Sequence, residues 1–175
     1  MITEALKNRI LPLNMLLLDV DGVLTSGDII YSDDGSETKV FNVKDGLGIR
    51  LLMDAGIKVG IITGRRSGAL TARCENLGID LVYDGIKDKV AVLADIVKEN
   101  GMAYNEIGFV GDDLPDIGIM NRVGCSFSVN NACAETRDAA AYVADLDGGK
   151  GAVREISEFI LKTKGLWDQV TRKFL

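Results

Sequence analysis

Four consecutive apolar residues, Met15–Leu18, are followed at once by two acids, Asp19 and Asp21, and then by Gly22. An uninterrupted apolar run of this length predicts a strand that is buried on both faces, as in a parallel sheet. Because side chains alternate along a strand, both carboxylates should lie on the same side of the backbone. Gly22 permits a sharp turn after them. The sequence therefore predicts two carboxylates at the carboxyl end of a strand, where ligands bind in open α/β sheets.

The rest of the chain alternates between short apolar strands and helices of about three turns. The predicted strands are Asn14–Asp19, Lys58–Ile62, Asp80–Tyr83, Ile107–Val110, Cys125–Val129 and Tyr142–Ala144. The predicted helices are Gly46–Ala55, Ser67–Leu77, Lys89–Glu99, Pro115–Asn121, Ala132–Ala139 and Ala152–Thr163. This alternation is typical of an α/β fold with a doubly wound parallel sheet. At 175 residues, we expect one domain spanning positions 1–175.

One segment departs from this alternation. Asp28–Tyr31 and Glu37–Val43 flank the polar turn Ser32–Gly35 and predict a β-hairpin. We place this hairpin flap at about residues 26–43 and a C-terminal tail of open role at about 165–175. A two-stranded hairpin is only marginally stable in water by itself. Its apolar side chains therefore need a partner surface, either in this domain or in another subunit.

The composition excludes several classes of chemistry. Lys and Arg number 20 against 26 Asp and Glu, so the net charge of −6 argues against a nucleic-acid partner. No apolar run approaches the length of a membrane span, so we expect no membrane partner. The sequence contains no histidine, which excludes Ser-His-Asp and Cys-His catalysis and histidine-ligated metals. Three cysteines without a zinc-binding spacing favour reduced thiols in a cytoplasmic protein.

Four groups of candidate functional residues follow predicted strands. In chain order they are Asp19-Val20-Asp21, Thr63-Gly64-Arg65, Lys89 and Gly111-Asp112-Asp113-Leu114-Pro115-Asp116. Because parallel strands end at one edge of a sheet, these groups should converge. A carboxylate can attack phosphorus, and Mg²⁺ prefers carboxylate and phosphate oxygens. A hydroxyl, backbone amides and a lysine suit phosphoryl oxygens. The set predicts magnesium-dependent phosphoryl transfer.

Each group taken alone also has an ordinary structural interpretation. Asp-x-Asp can form a solvated turn or cap a helix, and Asp112-Asp113 can cap the helix near Pro115. Thr63-Gly64 and Lys89 are individually unremarkable at a protein surface. A phospho-accepting receiver domain uses similar residues, but it begins with its acidic pair, whereas this pair comes last. An inactive structural subunit is disfavoured because all four groups are present together.

These motifs resemble those of the haloacid dehalogenase superfamily of phosphohydrolases over nearly the whole chain. The resemblance implies that Asp19 is the nucleophile and that Asp21 protonates the leaving group and then activates water. It places Thr63 and Lys89 at phosphate-binding positions. It implies that Mg²⁺ is held by the Asp19 carboxylate, the Asp21 backbone carbonyl and Asp112, with Asp113 or Asp116 in support.

Within the superfamily, the chain is similar to the family of phosphatases that act on 3-deoxy-D-manno-octulosonate 8-phosphate in lipopolysaccharide sugar biosynthesis. The similar stretches are Asp19–Thr25, Phe41–Arg50, Ile61–Arg65, Gly111–Leu114 and Gly148–Glu155. This resemblance implies that there is no large cap domain. It also implies a homotetramer in which hairpin flaps associate and neighbouring subunits close each active site.

The same resemblance implies a small anionic sugar phosphate as the substrate. The implied substrate-binding residues are Asp21, Asn42, Val43, Lys44, Asp45, Gly46, Arg50, Gly64, Arg65, Arg73 and Lys89. Arginine forks bind carboxylates well, which suits a sugar acid. Related phosphatases of nine-carbon sugar acids tend to have Glu where this chain has Arg65, so the eight-carbon acid is favoured. Lys44 stands where the family has arginine, and it keeps the positive charge.

Overall fold

A six-stranded parallel sheet forms the centre of the computed structural model, which describes residues 2–175. Its strands are β1 (Met15–Leu18), β4 (Lys58–Ile62), β5 (Leu81–Tyr83), β6 (Ile107–Gly111), β7 (Cys125–Ser128) and β8 (Tyr142–Val143). A separate antiparallel pair is formed by β2 (Ile30–Tyr31) and β3 (Glu37–Thr38). The strand order of the large sheet is β5-β4-β1-β6-β7-β8. The predicted α/β doubly wound fold is confirmed.

Helices cover both faces of the sheet. They are α1 (Glu4–Ile10), α2 (Val43–Asp54), α3 (Gly68–Leu77), α4 (Lys89–Asn100), α5 (Ile117–Met120), α6 (Ala134–Ala139), α7 (Ala152–Thr163) and α8 (Trp167–Thr171). Short 3₁₀ turns lie at Tyr104–Glu106, Leu114–Asp116 and Arg172–Phe174. Within positions 2–175, every helix is too short or too polar to cross a lipid bilayer.

The alternation of side chains along β1 explains its uninterrupted apolar sequence. Leu16 and Leu18 are buried in one apolar layer, and Met15 and Leu17 in the layer on the opposite face. The first layer also contains buried side chains of α1, α2, α3 and α7, and the second contains those of α4 and α5. Because both faces of β1 are covered, each of its four positions has to be apolar.

The path of the chain creates a crevice beside β1. This strand lies between β4 and β6, and Leu18 is in register with Ile61 on one side and Val110 on the other. From β1 the chain proceeds outward to β4 and β5, and α4 then carries it back to β6 across the sheet. Such a reversal leaves a crevice outside the carboxyl ends of the central strands. The segments that follow β1, β4 and β6 therefore meet there.

The hairpin is shorter than the sequence predicts. Its ladder pairs Ile30–Tyr31 with Glu37–Thr38, whereas the predicted second strand continued to Val43. The side chain of Asn42 accepts a hydrogen bond from the backbone N–H of Lys44 at 2.8 Å and caps α2. The helix consequently begins before the predicted Gly46. A capping contact has thus overridden the strand propensity of the apolar residues around it.

The C-terminal tail packs against the body of the protein. Val170 in α8 is buried, and the Lys173 ammonium lies 2.6 Å from the Asp54 carboxylate at the end of α2. The Trp167 ring lies beneath the Arg154 guanidinium, 5.6 Å from its centre. These contacts place the tail over α2 and α7.

Candidate active site

A cavity of about 430 Å³ lies at the carboxyl edge of the sheet and brings together residues from all four sequence groups. The predicted residues on its wall are Asp19, Asp21, Thr63, Gly64, Arg65, Lys89, Asp112, Asp113 and Asp116. Pro115 of the fourth group also lines the cavity, and two residues that the sequence did not single out, Ile86 and Lys87, complete the wall. The volume is within the range of small-molecule sites in proteins. The predicted convergence of the strand ends is therefore present.

Asp19 lies at the base of this cavity, directly after β1. Its backbone N–H donates to the carbonyl of Val110 at 3.0 Å, so its position is fixed by the neighbouring strand β6. Burial raises the pKa of the Asp19 carboxyl to about 6, although the adjacent Lys89 ammonium opposes this effect. The group is thus mostly ionised at neutral pH and only weakly solvated. A buried carboxylate of this kind can act as a nucleophile.

Lys89 holds two of the acids together. Its Nζ donates to Asp19 Oδ1 at 2.8 Å and to Asp116 Oδ1 at 2.6 Å. Burial disfavours the charged ammonium, but the carboxylates of Asp19 and Asp116 outweigh that effect and raise the pKa of Lys89. The position of the side chain is set by the start of α4, where Asp88 Oδ1 accepts from the N–H of Val90 at 3.0 Å. Lys89 therefore stays cationic beside the candidate nucleophile.

Asp116 accepts hydrogen bonds from the loop that follows β6. Its second oxygen, Oδ2, accepts from the backbone N–H of Asp112 at 3.0 Å and from that of Asp113 at 3.4 Å. Gly111 makes room for this arrangement, since a Cβ at that position would lie 2.5 Å from the Cβ of Asp116. With Oδ1 on Lys89 as well, both oxygens of Asp116 are engaged. Asp116 thereby ties the acidic loop to Lys89.

Asp112 provides an unsatisfied carboxylate in the same place. Its Oδ1 is buried and has no hydrogen-bond partner among the described residues. Burial, together with the negative charges of Asp19, Asp116 and Asp113, raises the pKa of Asp112 to about 8. Gly22 has a φ of +94° and allows the close approach, because a Cβ there would lie 1.9 Å from Asp112 Oδ2. A buried acceptor in an excess of negative charge is a setting that a cation would satisfy.

Three of these acids form a group that can bind a divalent cation. Carboxylate oxygens of Asp19, Asp112 and Asp116 lie within 4.8 Å of one another. Hard divalent cations prefer such oxygen ligands. Asp112 Oδ1, which has no hydrogen-bond partner among the described residues, is available to bind a cation of this kind. Among the described residues, the Asp21 side chain is not part of this group.

The Asp21 carboxylate instead contacts two basic side chains. Its Oδ1 accepts a hydrogen bond from Lys39 Nζ, and its Oδ2 lies 3.9 Å from Arg65 Nε. Lys39 Nζ also lies 3.1 Å from Glu37 Oε1, and Arg65 Nη2 donates to Glu37 Oε2 at 2.5 Å. Neither Glu37 nor Lys39 was predicted as a site residue, because nothing in their local sequence shows that the hairpin turns back onto the acids.

Thr63 is buried beside these acids and is held on both sides by backbone hydrogen bonds. Its N–H donates to the carbonyl of Tyr83 at 2.9 Å, and its carbonyl accepts from the N–H of Ile86 at 3.0 Å. The hydroxyl accepts from the N–H of Arg65 at 3.4 Å and lines the cavity. A fixed hydroxyl next to loop amides is suited to holding the oxygens of a phosphoryl group.

Seven of the predicted substrate-binding residues do not line this cavity. They are Asn42, Val43, Lys44, Asp45, Gly46, Arg50 and Arg73, which lie on α2 and α3. Two of them, Arg73 and Arg50, donate hydrogen bonds to backbone carbonyls within the chain. Arg73 Nη2 donates to the carbonyl of Asn42 at 3.2 Å and leaves no space for a side chain at Gly46, while Arg50 donates to the carbonyl of Asn76.

Asp45 has a structural contact that the sequence did not predict. It is almost fully buried, and its Oδ1 accepts from the backbone N–H of Arg154 at 2.8 Å. Burial raises the pKa of this carboxyl, although hydrogen bonds from the first turn of α7 oppose the effect. Asp45 thus caps the N-terminus of α7 from a distant part of the chain.

Comparison with known proteins shows relatives that cover nearly the whole chain. No protein-family model matches it. The chain is 40% identical over 157 residues to the 3-deoxy-D-manno-octulosonate 8-phosphate phosphatase KdsC of Escherichia coli strain K12, which covers 90% of this chain and 84% of that protein.

Solved structures show the same similarity. One is the 3-deoxy-D-manno-octulosonate 8-phosphate phosphatase from Moraxella catarrhalis in complex with a magnesium ion, a phosphate ion and a KDO molecule. It has a TM-score of 0.96 and 37% identity, covering 99% of this chain and 100% of that one. Another is a probable yrbi family phosphatase from Pseudomonas syringae, with a TM-score of 0.96 and 36% identity, covering 98% of each chain.

Proposed function

Because the chain belongs to the 3-deoxy-D-manno-octulosonate 8-phosphate phosphatase family of the haloacid dehalogenase superfamily, we propose that it hydrolyses this sugar acid phosphate to the free sugar acid and inorganic phosphate. The observation that carries the proposal is the buried pair of Asp19 and Lys89 beside the unpartnered oxygen of Asp112. This arrangement supplies a nucleophile, a fixed positive charge and a cation ligand in one cavity. The product sugar acid would enter lipopolysaccharide sugar biosynthesis, and a cytoplasmic location stays a prediction.

In the first step, the Asp19 carboxylate attacks the phosphorus atom of the substrate. The bond between phosphorus and the sugar oxygen breaks, and that oxygen takes a proton from the Asp21 carboxyl. Lys89 and the Thr63 hydroxyl face the same cavity as Asp19 and are placed to bind the phosphoryl oxygens. Fixed donors of this kind stabilise the charge that spreads over those oxygens in the transition state. The result is an aspartyl-phosphate and the free sugar acid.

In the second step, the Asp21 carboxylate takes a proton from a water molecule that attacks the same phosphorus atom. The bond between phosphorus and the Asp19 oxygen breaks, which releases inorganic phosphate and restores the Asp19 carboxylate. The Asp21 carboxyl is therefore protonated again at the start of the next catalytic cycle. Its position at the cavity wall, two residues after Asp19, supports both transfers.

We assign a magnesium ion to the acidic group of this cavity. Asp19 and Asp112 would hold it through their carboxylates and Asp21 through its backbone carbonyl, while Asp116 supports the loop. Mg²⁺ binds through a few carboxylates and substrate phosphate oxygens, and when bound it offsets the negative charge of the phosphoryl group. The donor set fits this ion because it consists of oxygen ligands with an excess of negative charge.

Arg65 supports a substrate that carries a carboxylate as well as a phosphate. Its guanidinium lies on the cavity wall and its side chain is 40% exposed, so it can meet a ligand that enters the cavity. Guanidinium groups bind carboxylates with two parallel hydrogen bonds. A sugar acid phosphate can therefore be held at both ends, with Arg65 at the carboxylate and Lys89 at the phosphate.

We further propose that the active site is completed in a homotetramer. Exposed apolar residues mark the hairpin and the start of α2, including Tyr31, Val40 and Val43, the last with 80% of its surface exposed. Apolar surface of this kind favours association. In such an assembly the exposed residues Val43, Lys44 and Arg50 would face a neighbour's cavity, whereas Asp45 is buried within its own chain.

The test is phosphate release from a panel of sugar phosphates. We expect turnover of 3-deoxy-D-manno-octulosonate 8-phosphate to exceed that of glucose 6-phosphate, which lacks a carboxylate, by at least about 100-fold in kcat/KM. Removing divalent metal with EDTA should abolish turnover, and Mg²⁺ should restore it. Faster turnover of a nine-carbon sugar acid 9-phosphate would reassign the substrate. Phosphate release by the Asp19→Asn variant at the wild-type rate would contradict the proposed reaction.

A further inference from the structure

We propose that Lys39 and Glu37, which belong to the hairpin and to none of the four motifs, are positioning residues for the reaction. Lys39 orients the Asp21 carboxylate, and Glu37 orients the Arg65 guanidinium. The inference rests on the proposed function, in which Asp21 transfers protons and Arg65 binds the substrate carboxylate. In this proposal, the hairpin of the same chain sets the orientation of both the Asp21 carboxylate and the Arg65 guanidinium.

Lys39 is buried where a lysine is costly to place. Its side chain is 4% exposed, and its ammonium forms ion pairs with two carboxylate oxygens, Asp21 Oδ1 and Glu37 Oε1. A buried ammonium has to be paired, so these two contacts fix the lysine and, in return, the orientation of Asp21. Lys39 occupies Oδ1, whereas Oδ2 has no hydrogen-bond partner among the described residues and lies 3.9 Å from Arg65 Nε. That oxygen is the one left for proton transfer.

Glu37 fixes Arg65 in the same way. Its Oε2 accepts from Arg65 Nη2 at 2.5 Å, and the Tyr31 hydroxyl accepts from the same nitrogen at 3.2 Å. Charge-assisted hydrogen bonds of this kind are strong and directional. Arg65 Nε, in contrast, is buried and has no hydrogen-bond partner within residues 2–175. The hairpin thus holds one nitrogen of the guanidinium, while Nε faces Asp21 Oδ2 at 3.9 Å without a hydrogen bond to it. A carboxylate that enters the cavity would supply the acceptor that Nε lacks.

The two pairs are joined into one chain of contacts. Lys39 lies between Asp21 and Glu37, and Glu37 lies between Lys39 and Arg65. Three buried atoms of this chain have no hydrogen-bond partner among the described residues, namely Glu37 Oε1, Asp21 Oδ2 and Arg65 Nε. The last two face each other at 3.9 Å, and both residues line the cavity. Buried polar atoms without partners are rare in native proteins and often mark functional sites. The network is therefore arranged around two positions that a bound substrate would satisfy.

The experiment compares Lys39→Met, Lys39→Arg and Glu37→Gln with the wild type. Lys58→Met is the matched control, since Lys58 begins β4 at the opposite edge of the sheet and donates only to Asn100. We expect Lys39→Met to lower kcat by about 10–100-fold while KM changes by less than about threefold, because Asp21 loses its orientation. Lys39→Arg should recover most of this loss.

Glu37→Gln should distinguish the two substrates by their KM values. We expect KM for the eight-carbon sugar acid phosphate to rise by about tenfold, while KM for a sugar phosphate that lacks the carboxylate changes by less than about threefold. Because Glu37 also contacts Lys39, kcat should fall by a similar factor for both substrates. Lys58→Met should leave both parameters unchanged. A purely structural role would instead predict that each hairpin variant lowers kcat for both substrates in proportion to its loss of folded protein.

The inference is overturned if Lys39→Met keeps wild-type kcat, or if its loss is not recovered by Lys39→Arg. A crystal structure of Lys39→Met gives a test that does not depend on activity. There the Asp21 carboxylate should turn away from its wild-type position, and an unmoved carboxylate would contradict the proposal. Failure of the wild-type protein to hydrolyse any sugar phosphate would reject the proposed function instead, so the two failures are distinguishable.

Discussion

At the scale of single residues, Asp112 shows a conflict between stability and function. Its buried Oδ1 has no partner among the described residues, and the negative charges of Asp19, Asp113 and Asp116 surround it. Its pKa is raised from 3.8 to about 8 in the folded protein, chiefly by burial. The folded protein therefore binds a proton that the unfolded chain has released, throughout the interval between these values. Because folding requires the uptake of this proton, Asp112 destabilises the metal-free protein progressively as the pH rises from about 4 to 8.

Asp112→Asn should therefore stabilise the metal-free protein while it abolishes the metal-dependent reaction. At pH 8 we expect a gain on the order of 2 kcal/mol, or roughly 4–8 °C in Tm, and a much smaller gain at pH 5. Adding Mg²⁺ should raise the Tm of the wild type but not that of the variant, because only the wild type retains the ligand.

Thermal unfolding followed by circular dichroism measures these shifts. Asp95→Asn is a matched control, since Asp95 is an exposed acid on α4 and its loss should not change the Tm at either pH. A lower Tm for metal-free Asp112→Asn at pH 8 would show that this carboxylate is not held in an unfavourable environment.

At the scale of helices and strands, the start of α7 depends on Asp45 in α2. The Asp45 carboxylate accepts from the N–H of Arg154, which lies 109 residues further along the chain. The helix itself begins at Ala152 after Gly151, so no side chain of its own N-cap satisfies its first turn. Asp45 therefore joins two helices that also pack extensively on each other.

Asp45→Ala should lower the stability of the protein by about 1–2 kcal/mol, or roughly 2–8 °C in Tm, because it leaves buried N–H groups without an acceptor. Asp45→Asn keeps an acceptor oxygen and should recover most of the stability. Urea unfolding together with phosphate release separates the two roles of this residue. A variant with unchanged stability and lost activity would favour the predicted contact with substrate over the structural one.

These elements also show what the sequence predicts and what it does not. Asp19, Thr63, Lys89 and Asp112 were predictable as a group because parallel strands end at one edge, so local strand signals determine their meeting. The partners of Asp45 and Asp21 were not, because each depends on a segment that returns from elsewhere in the chain. The predicted extent of the hairpin was wrong, because the helix cap at Asn42 competes with the strand propensity of its neighbours.

At the scale of the whole molecule, the exposed apolar hairpin predicts association. Light scattering at micromolar concentration should give the mass of four chains. The double variant Ile30→Lys/Val40→Lys places charges on two exposed apolar positions and should dissociate the assembly. Its kcat/KM should fall by at least about tenfold if residues of a neighbour complete the cavity.

Leu11→Lys is the control for this experiment, because Leu11 is a similarly exposed apolar residue outside the hairpin. It should leave the mass and the activity unchanged. A wild-type protein that is monomeric at these concentrations, with full activity, would contradict the proposed role of the neighbouring subunit.

The central claim is that Asp19 carries the phosphoryl group during hydrolysis. The most direct measurement is mass spectrometry of the Asp21→Asn variant, quenched with acid during turnover of 3-deoxy-D-manno-octulosonate 8-phosphate. This variant lacks the acid of the first step as well as the group that activates water in the second. We predict that the phosphoenzyme forms more slowly but is hydrolysed more slowly still, so that one phosphoryl group accumulates on the peptide that contains Asp19. Hydrolysis that proceeds with no phosphorylated peptide, or a phosphoryl group on a different residue, would contradict the account.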